Sequence, residues 1–304
     1  MIRVEHIRDG LIEEEHSGYA LTTNVGSASD YPYYLRSCAK PLQASLMIDY
    51  GLDKKYNLTS EEIALCCASH AGEKCHINIA KRLMEKFGLE YDWLKCGLHA
   101  PLYDKNTKEK ITYYHNNCVG KHILFLALCK ENGWDIATYD NIDNPLQQKV
   151  KEKISQLCEI PLVDNIYPYS VTKDGCGVPI LAMPLKNMIT GFINLFCDSK
   201  YEKIKNAYLE NPYIIGGMNR LDTEIIQNSD GLAAKVGAGG LCIVVNIKEK
   251  DALVVKINDC NMDTRRLVVF EALNKLGWSD YKCDKTIKTL HGDIVGNIRI
   301  TLGW

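Results

Sequence analysis

The feature that most constrains this chain is where its hydrophobic period changes. Residues alternate with the strand period of two near both ends, while apolar residues recur at helical spacing through the middle. From Arg3 to Asn24 the alternation turns around Asp9-Gly10, which predicts a hairpin. Helical spacing follows over 37–50, 60–69, 73–87, 118–130 and 145–158. Thr59 and Glu62 are spaced as a capping box, and Asn144-Pro145 as a cap with a first-turn proline. Strand chemistry returns after Gly231, with Leu241–Ile247 and Ala252–Ile257 flanking a charged turn at Lys248 to Asp251. A helix is expected over Asp263–Leu276 and a last strand over Asn297–Leu302. Strands from both termini with helices between them predict an α+β fold: one antiparallel sheet built from both termini, with helices on its faces and an inserted helical subdomain at approximately 45–170. The whole of 1–304 is expected to form a single domain.

A chain of 304 residues can bury a substantial core. Its formal net charge of -2 and pI near 6.5, with both signs interspersed, argue against a nucleic-acid surface or an anionic-membrane anchor and favour a small-molecule partner. No apolar run approaches the roughly twenty residues of a membrane span, and Met1 to His6 lacks an apolar signal core, so a soluble cytoplasmic protein is expected. Thirteen cysteines, an odd number without a repeating frame, suit a reducing compartment better than a disulfide scaffold.

Within this frame Ser37 and Lys40, in Arg36-Ser37-Cys38-Ala39-Lys40-Pro41, place a hydroxyl and an amine on one helical face. A lysine desolvated at a helix start can be neutral enough to take a serine proton, which is the chemistry of acyl transfer. The same spacing recurs at Ser170/Lys173 and Ser279/Lys282, so spacing alone does not single out Ser37. Its setting does, because an apolar helix, expected to be buried, runs from Pro41 to Tyr50. Ser69, in Ala68-Ser69-His70-Ala71-Gly72-Glu73, lies at a glycine-containing turn. Lys235, in Lys235-Val236-Gly237, lies at the start of an apolar strand. Taken singly, these residues also read as a helix-start serine, a helix-end polar residue and a strand-edge charge. Their order resembles the three-element signature of penicillin-binding proteins and serine β-lactamases.

A second constellation uses thiols. Cys118 opens a helix in Asn117-Cys118-Val119-Gly120-Lys121-His122, where the helix dipole favours thiolate. Cys176 lies between two glycines in Asp174-Gly175-Cys176-Gly177-Val178-Pro179. Two thiolates with a nitrogen donor from Lys121 or His122 would suit tetrahedral zinc. Without a paired Cys-x-x-Cys, two buried free thiols are the competing reading.

Laid side by side, these five segments, with Lys235-Val236-Gly237-Ala238 as the last, resemble the L-asparaginases typified by the inducible, thermolabile rhizobial enzyme. The resemblance runs from the first strands to the last. It implies a serine-β-lactamase-like fold, hydrolysis of L-asparagine to L-aspartate and ammonia, and a homodimer. It pairs Ser37 with Lys40 and Ser69 with Lys235, and it places zinc on Cys118, Lys121 and Cys176. Ser37 is then the expected nucleophile and Lys40 its base. Arg36 could grip the substrate α-carboxylate, Asp174 or Glu73 could meet the α-ammonium, and His70 could add a hydrogen bond. Cys38, Val119 and Gly239 depart from the family pattern without removing any of these groups. A glutaminase or a β-lactam-reactive enzyme would use the same machinery, and a non-catalytic zinc- or amino-acid-binding module could keep the cleft.

Overall fold

A computed structural model describes all residues of the chain except Ser29 and Lys105. The first hairpin pairs β1 (Ile2–Arg8) with β2 (Leu11–Leu21). Asp9 and Gly10 both have positive φ, at 45° and 82°, as a two-residue type I′ loop requires. The chain then forms β3 (Tyr33–Tyr34) and a run of helices: α1 (Ala39–Asp49), α2 (Leu52–Lys55), α3 (Ser60–Cys67), α4 (Lys74–Phe87), α5 (Val119–Asn132) and α6 (Pro145–Leu157). Thr59 and Glu62 close the capping box on α3, and the Asn144 side chain accepts from the Leu146 amide at the start of α6.

The stretch that sequence periodicity left unassigned holds β4 (Val171–Lys173), β5 (Pro179–Met183), α7 (Leu185–Phe196), α8 (Glu202–Glu210), α9 (Pro212–Ile215) and α10 (Leu221–Gln227). The chain closes with β6 (Leu232–Gly237), β7 (Leu241–Asn246), β8 (Asp251–Ile257), α11 (Met262–Lys275), β9 (Thr286–Lys288) and β10 (Ile294–Thr301).

The main sheet has the order β6-β7-β8-β2-β1-β10-β9, and every neighbouring pair is antiparallel. Both chain ends therefore meet in one sheet, and the α+β reading holds. A smaller sheet, β3-β5-β4, sits apart from it. Every residue of β6, β7 and β8 is buried, because α7 and α11 pack on β7 and β8 while α10 packs on β6. At the opposite edge β10 alternates between exposed and half-buried residues. Helix α1 is buried from Ala39 through Met47, surrounded by α3, α5, α6 and α7, as a helix apolar on all sides must be. Among the described residues no helix is long and apolar enough to cross a membrane, and the cysteines are free thiols.

Candidate active site

The site forms where the start of α1 meets the end of β6. A single 3-10 turn, Arg36–Cys38, leads into α1. Arg36 has φ 49°, a left-handed conformation that costs a non-glycine residue about 1 kcal/mol or more and often marks a functional turn. The Cys38 thiol donates to the Lys235 carbonyl at 3.2 Å. Gly237 makes this seating possible: a Cβ there would lie 3.1 Å from the Cys38 sulfur and 3.2 Å from the Leu35 carbonyl oxygen. The glycine of Lys235-Val236-Gly237 is thus explained by the close approach of the turn bearing Ser37.

Ser37 is half-buried, and its hydroxyl makes no hydrogen bond among the described residues. Lys40, one turn on, is only 1% exposed and donates to two oxygens, the Ser69 hydroxyl and the Asn117 carbonyl, both at 2.8 Å. Burial pushes the Lys40 amine down to about 8, and the positive charges of Lys235 and Lys121 push in the same direction. Ser69 is 2% exposed and held by its amide on the Ile215 carbonyl. The pairing therefore differs from expectation. Lys40 hydrogen-bonds Ser69 rather than Ser37, and Lys235 does not hydrogen-bond Ser69.

Lys235 is fully buried and donates to Asp222 Oδ2 at 3.4 Å and to the Val236 carbonyl at 3.0 Å. Asp222, itself fully buried, went unrecognised in the sequence. It lies in the first turn of α10, where an acidic residue reads simply as a helix-start residue. The other two Ser-x-x-Lys pairs take no part. The Ser170 hydroxyl bonds the Tyr34 hydroxyl at an exposed position, and Ser279 accepts from the Tyr281 amide.

The thiol residues do converge. Asn116 Oδ1 accepts from the Cys118 amide at 2.8 Å and fixes a turn in which the Asn117 carbonyl accepts from Lys40 while the Cys118 thiol donates to Asn117 Oδ1 at 3.4 Å. Lys121, on the buried face of α5, donates to the Cys176 sulfur at 3.0 Å. The neighbouring Cys118, aided by the Lys121 cation, holds the Cys176 thiol well below its ordinary range. The Cys118 thiol is in turn pushed up by Cys176 and by burial. Burial pushes Lys121 down, but the two sulfurs outweigh it and leave the amine above its ordinary value. His122 lies beside Cys176, and its Nδ1 hydrogen-bonds the Tyr139 hydroxyl at 2.7 Å. The two buried sulfurs match the donor preference of a zinc-class ion, and Lys121 could add a nitrogen only on losing its proton, so these residues fit the group that the sequence led us to expect on that condition.

The candidate substrate-binding residues divide. Arg36 Nε donates to Asp174 Oδ1 at 2.7 Å, so the two expected partners of the substrate backbone face each other. Glu73 is engaged elsewhere: its carboxylate accepts from the Tyr213 hydroxyl and, at 2.9 Å, from the Met218 amide. His70 is fully buried and stacks on His76 with ring centroids 4.9 Å apart. The Gly72 amide donates to His70 Nδ1 at 3.1 Å, which places the ring proton on Nε2. That Nε2 is buried without a partner. Burial holds the imidazole well below its usual range and keeps it neutral, so His70 offers one unused N–H donor.

A solved β-lactamase structure from Mycobacterium bovis is similar to this chain at 14% identity and a TM-score of 0.41, over 91% of this chain and 95% of that one. No curated protein sequence matches the chain. The family described as L-asparaginase II matches residues 4–303, nearly the whole length. The chain therefore belongs to the L-asparaginase II family and is an amidohydrolase.

Proposed function

We propose that the protein hydrolyses L-asparagine to L-aspartate and ammonia through a serine ester, with Ser37 as nucleophile. The observation that carries this reading is a fully buried lysine, Lys40, lowered to about 8, lying one turn from a free serine hydroxyl and 2.8 Å from a second serine. A nucleophile must be reached by substrate. Ser37 is half-buried with an unengaged hydroxyl, whereas Ser69 is enclosed and bonded to Lys40.

Neutral Lys40 takes the Ser37 proton as Oγ bonds to the side-chain amide carbon. That proton passes through the Ser69 hydroxyl to the departing nitrogen, the C–N bond breaks, and ammonia leaves a β-aspartyl ester. Water then attacks the ester with Lys40 again as base, which releases L-aspartate and restores the Ser37 hydroxyl. Backbone amides of the turn into α1 would meet the oxyanion. The Arg36–Asp174 pair suits a zwitterion: the α-carboxylate would face the guanidinium and the α-ammonium the carboxylate, with the His70 Nε2–H as a further donor. Glu73 would act at one remove, by holding the backbone at Met218.

Cys118, Lys121 and Cys176 would hold a zinc ion, which supplies fixed positive charge beside the site. Loading it would release the Cys118 and Lys121 protons. The assembly that accompanies this reading is a homodimer, which sedimentation would test.

Acid quenching during turnover followed by peptide mass spectrometry should find an aspartyl adduct on Ser37, and an adduct on Ser69 would reverse the two roles. Ammonia release from L-glutamine with kcat/KM at or above that for L-asparagine would overturn the substrate assignment. Zinc stoichiometry in anaerobically purified protein tests the thiol site: full turnover with no bound zinc would reduce Cys118 and Cys176 to core thiols.

A further inference from the structure

A second constellation lies on different elements and takes no part in the serine and thiol chemistry. Strand register assembles it. Antiparallel pairing of β1 with β2 sets His6 opposite Glu14 and Val4 opposite His16, so with the period of two His6, Glu14 and His16 share one face of the hairpin. Pairing of β2 with β8 sets Gly18 opposite Ile257, and the Asn258 amide continues the ladder to the Ser17 carbonyl at 2.9 Å. The same register carries Asp259, in the turn before α11, alongside His16.

The four side chains make an ordered row. Asp259 Oδ2 lies 2.5 Å from His16 Nδ1, which fixes the proton on Nδ1 and leaves the Nε2 lone pair free. That Nε2 lies 3.5 Å from Glu14 Oε2, and His6 Nδ1 lies 3.9 Å from the same oxygen. The two imidazoles meet edge to face with centroids 5.4 Å apart. One donor atom from each of His6, Glu14 and His16 falls within 4.8 Å of the other two. His16 is only 8% exposed, and the Nε2 atoms of both histidines are buried without a hydrogen bond. Leaving the buried His16 Nε2 unpartnered is costly, and a cation between it, the Glu14 carboxylate and the His6 ring would give it an electron-pair acceptor.

We infer that His6, Glu14 and His16 bind a divalent transition-metal ion of the zinc class, with Asp259 as the carboxylate that orients His16. Two imidazoles and a carboxylate form a donor set that zinc accepts, with water completing its coordination. A carboxylate on the far nitrogen of a ligating histidine is the usual way such a ring is held. The ion would tie β1 and β2 to the turn leading into α11, far in sequence from both. This inference is independent of the thiol site.

Calorimetric titration of metal-free protein with Zn²⁺ tests it. The Cys118→Ser/Cys176→Ser protein should still bind one equivalent. Adding His6→Gln or His16→Gln should abolish that equivalent, and Asp259→Asn should weaken it about 10- to 100-fold. Because His16 is buried, His6→Gln in the otherwise unaltered chain serves as the control for folding. It should keep the wild-type circular dichroism and asparagine turnover while losing the site. Co²⁺ bound to the Cys118→Ser/Cys176→Ser protein should show ligand-field absorption without sulfur-to-metal charge transfer. Failure of the folded Cys118→Ser/Cys176→Ser protein to bind Zn²⁺, or equal binding with and without His6 and His16, would overturn the inference and leave the row as hydrogen-bonded histidines.

Discussion

The two buried lysines of the cleft invite comparison. Both lie within α1 or β6 and both are shut from water, Lys40 at 1% and Lys235 at 0% exposure. Lys40 has only neutral oxygens for partners, those of Ser69 and Asn117, and burial brings its amine down to about 8. Lys235 has a buried carboxylate, Asp222, at 3.4 Å. The two settings differ in counter-charge: Lys40 is buried beside neutral oxygens, which favours a base, whereas Lys235 is buried against a carboxylate. The largest effect that would test this contrast is on turnover. Lys40→Met should lower kcat/KM by about 10²- to 10⁴-fold, the usual range for a general base, and Lys40→Arg should not restore it. Steady-state ammonia release reads this directly, and a variant within a few-fold of wild type would remove Lys40 from the chemistry.

The sheet side of the comparison should fail differently. Asp222→Asn leaves Lys235 buried without its counter-ion, and breaking such a pair typically costs about 3–5 kcal/mol. Denaturant unfolding should show that loss in the midpoint. Replacing both residues by neutral ones, Lys235→Gln with Asp222→Asn, should recover much of it. If Asp222→Asn unfolds at the wild-type midpoint, the ion pair is not what holds Lys235.

How much of this contrast was legible in the sequence depends on how local its cause is. The hairpin at Asp9-Gly10, the capping box on α3 and the buried character of α1 follow from neighbouring residues, and all three were readable. Ser37, Lys40, Ser69 and Lys235 were also found, because their segments carry motif order. Their partnership was not. Spacing put Lys40 with Ser37, whereas the turn after α3 brings Ser69 to Lys40 and α10 brings Asp222 to Lys235. Asp222 left no mark because an acidic residue in a first helical turn is ordinary. The row of His6, Glu14, His16 and Asp259 was likewise hidden, since it depends on strand register across more than 240 residues of sequence.

The contrast also predicts how stability varies with pH. In the unfolded chain Lys40 would hold its proton up to about 10.5, but in the native protein only to about 8. Below pH 8 both states are protonated and the native state bears the cost of a buried charge. Between about 8 and 10.5 the unfolded state binds the extra proton, so stability rises with pH. A pKa lowered from 10.5 to about 8 corresponds to about 3 kcal/mol. The difference in unfolding free energy between wild type and Lys40→Met should therefore grow in favour of wild type by about that amount across the window. A flat difference would mean that Lys40 is not desolvated as described.

The smallest effect tests whether the two lysines sense each other. The Lys235 charge is one of the causes that lower Lys40, secondary to burial, and Asp222 is not among them. Removing the pair together, as Lys235→Gln/Asp222→Asn, takes away the repelling cation without leaving a buried charge unpaired. The Lys40 amine should then hold its proton to higher pH. The acidic limb of the kcat/KM profile, which reports the free base, should move to higher pH by less than burial itself displaces it. The plateau value can fall for other reasons, because Lys235 lines the site, so the position of the limb is the informative reading and its height is not. If the limb moves to lower pH, the coupling has the opposite sign and Lys235 is not what helps keep Lys40 neutral. If it stays in place, Lys235 does not help set the base, which then rests on burial and the other charges around Lys40.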